Sequence, residues 1–316
     1  MKKNLPLGLL SLLLVVAFVG CKPDDLPPPS TTTPLLKYKG IHDFFAKNQP
    51  EKQNFFIDAV AGGSITGKSG IKLTFSPNSF VQKSFNTPVT GLVKIVLQEV
   101  TKNSQMAMAN IATVSGVDPL VSGGMIHVSV FSEVNGLEVK LAPGMMYATE
   151  FPSVGTPING MQTFIENEND NANAVTWTNN PNTSANVQPL ANSYIMTTDS
   201  LHWGNCDAFM GALGINTFTK VTVNVPNSPI PLDSCVCFVN FKGKQTLWPL
   251  SLTANNNFFS DHVCAINADV VLIGCDGKKL YGAIKRDVIL TDNLTVTATL
   301  LPMYENQVQS MLLSLD

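Results

Sequence analysis

The chain has 316 residues, of which 44% are hydrophobic and only 14% charged, and it carries a formal net charge of −3. A chain this long and apolar buries a sizeable core, enough for two domains. Its acidic balance and lack of any basic patch exclude nucleic acid, or an anionic membrane surface, as a partner chosen by charge.

Lys2 and Lys3 precede an apolar run from Leu5 to Val19, followed by Gly20 and Cys21. A charged start, a short apolar stretch and a small residue at the break read as an export signal. The run is shorter than the ~20 residues a membrane-spanning helix needs, and Pro6 and Gly8 weaken it further as a permanent span. Phe18-Val19-Gly20-Cys21 resembles the lipobox of bacterial lipoproteins, with Phe18 where Leu is usual. The resemblance implies a signal peptide over residues 1–20, cleavage before Cys21, and lipid on the Cys21 thiol and on its new amino group. Two or more acyl chains anchor stably, at ~0.8 kcal/mol per buried CH₂. Membrane attachment is therefore expected through Cys21, and loss of Lys2 and Lys3 takes the net charge from −3 to −5.

Residues 21–40 read as a tether. Pro27 to Pro34 is a Pro/Ser/Thr stretch that cannot build a core; as polyproline II at ~3.1 Å per residue, Lys22 to Pro34 spans about 40 Å. Lys22-Pro23-Asp24-Asp25 is similar to the acidic signal that sends Bacteroidetes lipoproteins to the cell surface, and equally to a solvated charge cluster. An outer-membrane location follows as the expectation, on the cell surface or the periplasmic face.

A short helix is predicted from Ile41 to Asn48. Gly62-Gly63-Ser64-Ile65-Thr66-Gly67-Lys68-Ser69 then satisfies the phosphate-loop pattern G-x-x-x-x-G-K-[ST], and Val270 to Asp276 has the look of a second nucleotide motif. Phosphate binding needs such a loop to open a helix, whose N-terminal N–H groups cradle the anion. Here Gly70 to Phe75 alternates as a strand and meets Pro77, so Gly62 to Gly70 reads as a β-turn region. Nucleotide binding through Gly62 to Ser69 is the least favoured reading.

Alternation marks strands at Ile71–Phe75, Val93–Leu97, Met125–Val130 and Val221–Val225, separated by Gly, Pro and Asn turns, the pattern of sandwiches and barrels. Val93, Ile95 and Leu97 should share one face. Gly63-Ser64-Ile65, Gly70 to Phe80 and Pro88 to Val93 together resemble the opening of ZU5-like β-sandwich domains. Glu99, Met106 to Asn110 and Ser122 to Ile126 continue a pattern of large Bacteroidetes lipoproteins. Glu166-Asn167-Glu168-Asn169-Asp170-Asn171 offers oxygen ligands of the kind calcium prefers but lacks EF-hand spacing, and reads as a solvated hairpin tip. The Asn/Pro/Ser-rich stretch from Asn179 to Gln188 is where a domain boundary is expected.

Asp199-Ser200-Leu201 resembles a Bacteroidetes O-glycosylation site. Trp203-Gly204-Asn205-Cys206-Asp207-Ala208-Phe209 resembles that group's second mark, with Ala208 where Arg is usual. Trp203, Asn205, Cys206 and Asp207 read first as structural residues, Trp203 and Phe209 as core or edge aromatics. The alternative takes His202, Cys206 and Asp207 as a nucleophilic cysteine site, which requires a base oriented in space by a third group. Beyond Cys21, the cysteines are Cys206, Cys235, Cys237, Cys264 and Cys275. Buried thiols lead, with disulfides second and zinc third. His42, His127, His202 and His262 make no metal spacing with one another. Val308, Met311, Leu312 and Leu315, after Pro302, predict a short C-terminal helix packed on a sheet.

The expected architecture is all-β: a ZU5-like sandwich at residues 52–180 and a transthyretin-like or carboxypeptidase-regulatory-like sandwich at 190–316. The expected role is non-catalytic binding, adhesion or scaffolding at the cell envelope, with a protein or glycan ligand and no cofactor. The alternative is an envelope hydrolase using a Cys/His or carboxylate site. Glycan binding predicts Trp177 or Trp248 exposed as a stacking platform; a structural role predicts both rings buried.

Overall fold

The segments that alternate in sequence fold as strands, and the pleat decides which side chains meet. In the computed structural model, which describes residues 38–153, 155–167, 174–182 and 184–316, Val93, Ile95 and Leu97 all point into one core. Their strand, Leu92–Val100, pairs antiparallel with Gln53–Asp58 on one side and with the long strand Asp118–Ser132 on the other. His202–Phe209, Gln162–Glu166 and Trp177–Asn179 continue that sheet in order. A second sheet runs Asn186–Pro189, Ser193–Thr198, Tyr147–Pro152, Lys72–Phe75, Gly63–Thr66. Ile95 and Val128 from the first sheet and Leu73, Phe151 and Met196 from the second fill one shared core, a sandwich.

The C-terminal strands form one eight-stranded path: Leu294–Thr297, Phe218–Asn224, Phe258–Cys264, Leu247–Leu252, Cys235–Phe241, Asn267–Cys275, Leu280–Ile289, Leu301–Met303. Val221, Val223 and Phe258 from one half of the path share a core with Val239, Val270 and Leu272 from the other. The opposite face, through Phe238, Val271 and Ile273, packs with Val100, Trp177 and Trp203 of the first sandwich. Residues 36–316 thus form one compact unit.

The chain is all-β, with three short α-helices among the described residues, none long and apolar enough to cross a membrane. Ile41–Lys47 and Glu305–Leu313 fall where the sequence puts them. In the C-terminal helix Val308, Met311 and Leu312 are buried, as is Leu315 beyond it, and the Gln307 side chain accepts the Tyr304 N–H at 2.8 Å. Asn103–Ala109 is an unexpected third helix, stopped by Asn110 in the left-handed region at φ 54°.

Two boundaries move. Ser193–Thr198 pairs with Tyr147–Pro152, and His202–Phe209 with Asp118–Ser132, so the first sandwich extends to Phe209 and does not end at Asn179–Gln188. Tyr38, expected within the tether, is buried, and its hydroxyl donates to Glu305 at 2.8 Å, so folded chain begins before residue 40. The export signal, Cys21 and the Pro-rich stretch lie outside the described residues, as do Glu168 to Asn171 of the acidic run.

Candidate binding site

The Gly-rich segment that reads like a phosphate loop is the turn of a hairpin, Gly63–Thr66 against Lys72–Phe75, and its N–H groups bind a carboxylate of the chain itself. Ser69 N and Ile71 N donate to the buried Glu99 at 3.0 and 3.3 Å, and Gln53 Nε2 adds a third bond at 2.7 Å. A Cβ on Gly67 would overlap that carboxylate, which accounts for glycine there. Lys68 reaches outward to Glu51 at 2.6 Å. The loop's anion-binding capacity is therefore used in folding. Gly67→Ala and Glu99→Gln are each expected to cost about 1–3 kcal/mol, because both leave buried donors poorly matched. Since both break one contact, the double variant should lose less than the two losses added, as read by urea unfolding.

The Trp203-to-Phe209 motif is divided by the pleat. Gly204, Cys206 and Ala208 face the sandwich core, where Gly204 approaches Met196 and Ile126, while Trp203 and Phe209 face the C-terminal sheet. Asn205 and Asp207 share the latter face. A bulge opposite Cys206, at Gly123-Gly124 of the long strand, brings Ser122 into register with Asp207. Gly124 sits at φ 136°, where a Cβ would strike the Phe151 ring. Ser122 Oγ donates to Asn205 Oδ1 at 3.0 Å, and Asn205 Nδ2 donates to Asp207 Oδ2 at 2.6 Å. Asp207 Oδ1 has no partner among the described residues. Full burial pushes the Asp207 carboxyl up to about 8, against the opposing pull of Ser122 and Asn205.

This division separates the suspected nucleophile from His202. His202 lies four residues from Cys206 along an extended strand, about 13 Å away, and its ring approaches Glu138 at 3.8 Å instead. Burial drives the Cys206 thiol well above its ordinary range, and Asp207 raises it further. His127, beside Trp203 and His202, is pushed down to about 4 by burial first and by His202 second. Cys235, Cys237, Cys264 and Cys275 are likewise free and buried, with burial raising Cys235 to about 12 and Cys264 to about 11. Among the described residues no three of His, Cys, Asp and Glu stand together as metal ligands. Trp177 and Trp248 are 0% and 5% exposed, their indole N–H groups donating to Ala112 O and Ser260 Oγ.

A cleft of about 490 Å³ opens beside the bulge, between the first sandwich and the C-terminal sheet. Ser122 and Gly123 form part of one wall. The opposite wall is the hairpin turn Lys242-Gly243-Lys244-Gln245, docked on the bulge by Ser122 N donating to Gln245 O at 3.0 Å. Asn103, at the start of the unexpected helix, lines the cleft and is 7% exposed. Its Nδ2 donates to Asn240 Oδ1 at 2.5 Å and Lys244 O at 2.8 Å, but its Oδ1 has no partner among the described residues. Gln245 Nε2 is likewise a buried donor without a partner. Asp269 and Asp316 also line it, and both are engaged. Asp269 is held by Lys242 at 3.0 Å and Arg286 at 2.9 Å; Asp316 accepts Ser104 N and Oγ at 2.9 and 2.8 Å, with Lys102 at 3.6 Å. Lys244 meets no carboxylate among the described residues.

Asn103 and Gln245 line one concave site, while their unpartnered atoms are themselves shut off from solvent. Sequence reading missed this site. Lys242-Gly243-Lys244 between two alternating runs does mark a hairpin turn, but nothing local says that it meets residues 101–103. No family model and no curated protein matches the chain.

Proposed function

We propose that this chain is an outer-membrane lipoprotein, anchored through lipid on Cys21, whose body is a non-catalytic binding or scaffolding module at the cell envelope. The cleft carries the reading: it is a concave site of about 490 Å³ whose walls come from distant segments and carry polar side chains. The residues suspected of chemistry support it too. Cys206 and Asp207 point to opposite sides of their strand, and both are fully buried. Burial of Trp177 and Trp248 favours a structural role for both rings over a stacking platform for glycan. The likeness of residues 63–93 to ZU5-like sandwiches, and of Phe18 to Cys21 to a lipobox, belongs with this reading.

Location is tested by protease shaving of intact cells carrying the wild type, Cys21→Ala, or the double variant Asp24→Ala, Asp25→Ala. The expected result is a wild-type body cut at the surface, a Cys21→Ala chain released from the membrane, and an acidic-cluster variant protected. A wild type protected in intact cells but cut after lysis would place the body on the periplasmic face and end the surface reading.

A further inference from the structure

We propose that one end of the first sandwich inserts its apolar loop tips, led by Phe85 and Val134, into the lipid surface to which Cys21 tethers the chain. The proposal takes its reach from the Cys21 anchor and adds a second contact, made by the body itself, with the same membrane.

Strand pairing gathers the connecting segments 58–62, 83–91 and 133–138 at that end. Phe80–Gln82 pairs antiparallel with Val139–Leu141, so the turn after Gln82 and the turn before Val139 leave side by side, and Lys83 grips Glu138 across them at 2.6 Å. Glu133 N donates to Leu92 O at 3.0 Å, and Ala59 N to Gly91 O at 2.8 Å, which adds the turns beside Leu92 and Val60. Phe85 and Val134 are each 79% exposed, the most of any large apolar side chain among the described residues, and Leu137, Leu92 and Val60 at the same end are 60%, 51% and 46% exposed. Single exposed apolar residues need no explanation; a group of them at one end marks an interaction surface. Asn86 at φ 54° and Gly136 at φ 68° close the two turns, and a Cβ on Gly136 would meet nothing within 4 Å, so that tip stands clear of the body.

The placement of charge selects lipid. Ser84-Phe85-Asn86-Thr87 and Val134-Asn135-Gly136-Leu137 carry no charged residue, while Lys83, Glu133 and Glu138 stand directly behind them. Such tips can enter the boundary of the acyl chains and leave the charges at headgroup level. Lys83 and Glu138 already pair with each other, so no free positive charge calls for anionic lipid. Reach selects the membrane that holds the anchor. Tyr38, where the described residues begin, packs in one cluster with Val100, at the far end of Leu92–Val100 from the tips. That strand of nine residues is about 30 Å long at ~3.3 Å per residue. The chain from Cys21 to Tyr38 can span about 50 Å at ~3.1 Å per residue. The tether is therefore long enough for the tips to meet the lipid in which it is held.

The test is co-sedimentation with vesicles of the unlipidated chain from Lys22 to Asp316, which contains the whole compact unit of residues 36–316. With Cys21 absent the anchor plays no part, so this result bears on the tips alone, while protease shaving bears on the anchor. Binding to phosphatidylcholine vesicles is expected, and it should change less than about twofold when part of the lipid is phosphatidylglycerol. Phe85→Asp and Val134→Asp should each weaken binding about tenfold or more without moving the melting temperature, since both side chains are exposed. Ile289→Asp, at a side chain 70% exposed on the C-terminal sheet, adds the same charge elsewhere and should leave binding unchanged. Binding confined to vesicles containing phosphatidylglycerol would overturn apolar insertion in favour of attraction by charge. No binding to either vesicle, or binding that Phe85→Asp and Val134→Asp leave intact, would overturn the tips as a lipid contact. A dimer in analytical ultracentrifugation that Phe85→Asp dissociates, with no vesicle binding, would overturn the lipid and give the patch to a second copy of the chain.

Discussion

Asp207→Asn is expected to leave the chain folded and to make it more stable than the wild type in mild alkali, by up to about 5 kcal/mol near pH 8. The carboxyl has an ordinary value of 3.8 in the unfolded chain and about 8 in the folded one, because burial disfavours its charged form. Between those values the folded state holds a proton that the unfolded state has released. Stability from this group is therefore intact below pH 3.8, falls by about 1.4 kcal/mol per pH unit as pH rises, and levels off above pH 8. An amide cannot ionise, so the variant lacks this loss and still presents an oxygen to Asn205 Nδ2. His127 works in the opposite direction: lowered to about 4, it favours the folded state increasingly as pH rises from 4 to its ordinary 6.5. Both proteins carry His127, so the difference between them isolates Asp207. Urea unfolding of the pair from pH 4 to 9 should give a difference that grows and then plateaus. A flat difference would mean that Asp207 is ionised in the folded chain and is paired in a way that burial alone does not describe.

How much of this was legible depends on how far apart the participants lie. The strand around Val93, Ile95 and Leu97 and the helix around Val308, Met311 and Leu312 announce themselves by period, because each needs only its own neighbours to show which face is buried. The partnership of His202–Phe209 with Asp118–Ser132 has no such local trace. Nor was the boundary after Phe209 readable, since Asn179–Gln188 has the composition of a linker while the strands that follow return to the first sandwich. Asn103–Ala109 went unseen because its capping position carries Lys102 and the helix is stabilised by burial of Met106 and Ala107 between the two parts of the body. The phosphate-loop pattern shows the converse: a real preference of glycine-rich backbone for an anion, met by Glu99 some thirty residues on. The cleft is the extreme case, assembled from residues near 103, 122, 244, 269 and 316.

Deleting residues 304–316 is expected to abolish cooperative folding of the whole body. The segment is only an element of nine helical residues and its flanks, yet Val308 and Leu312 are fully buried, and Met311 and Leu315 nearly so. At about 1.5–3 kcal/mol for each such side chain, the loss is on the order of 6–12 kcal/mol, comparable with the ~5–15 kcal/mol stability of a typical protein. Polar ties add to this. Asn240 Nδ2 donates to Leu315 O at 3.3 Å, Arg286 Nη1 donates to Ser314 O at 3.1 Å, and Asp316 fastens the start of Asn103–Ala109. Because Asp316 and Asn240 line the cleft, losing the segment would also open the site. Two single variants separate packing from length. Leu312→Ala should cost about 2–5 kcal/mol through the cavity it leaves, while Leu313→Ala, one residue on and 56% exposed, should stay within about 0.5 kcal/mol of the wild type. A sharp, unshifted urea transition in the truncated chain would show that the two sheets hold without the helix. The buried face of Val308 and Leu312 would then be a cover over the body, and the joint between the first sandwich and the C-terminal sheet would rest on Trp177, Trp203 and Phe238.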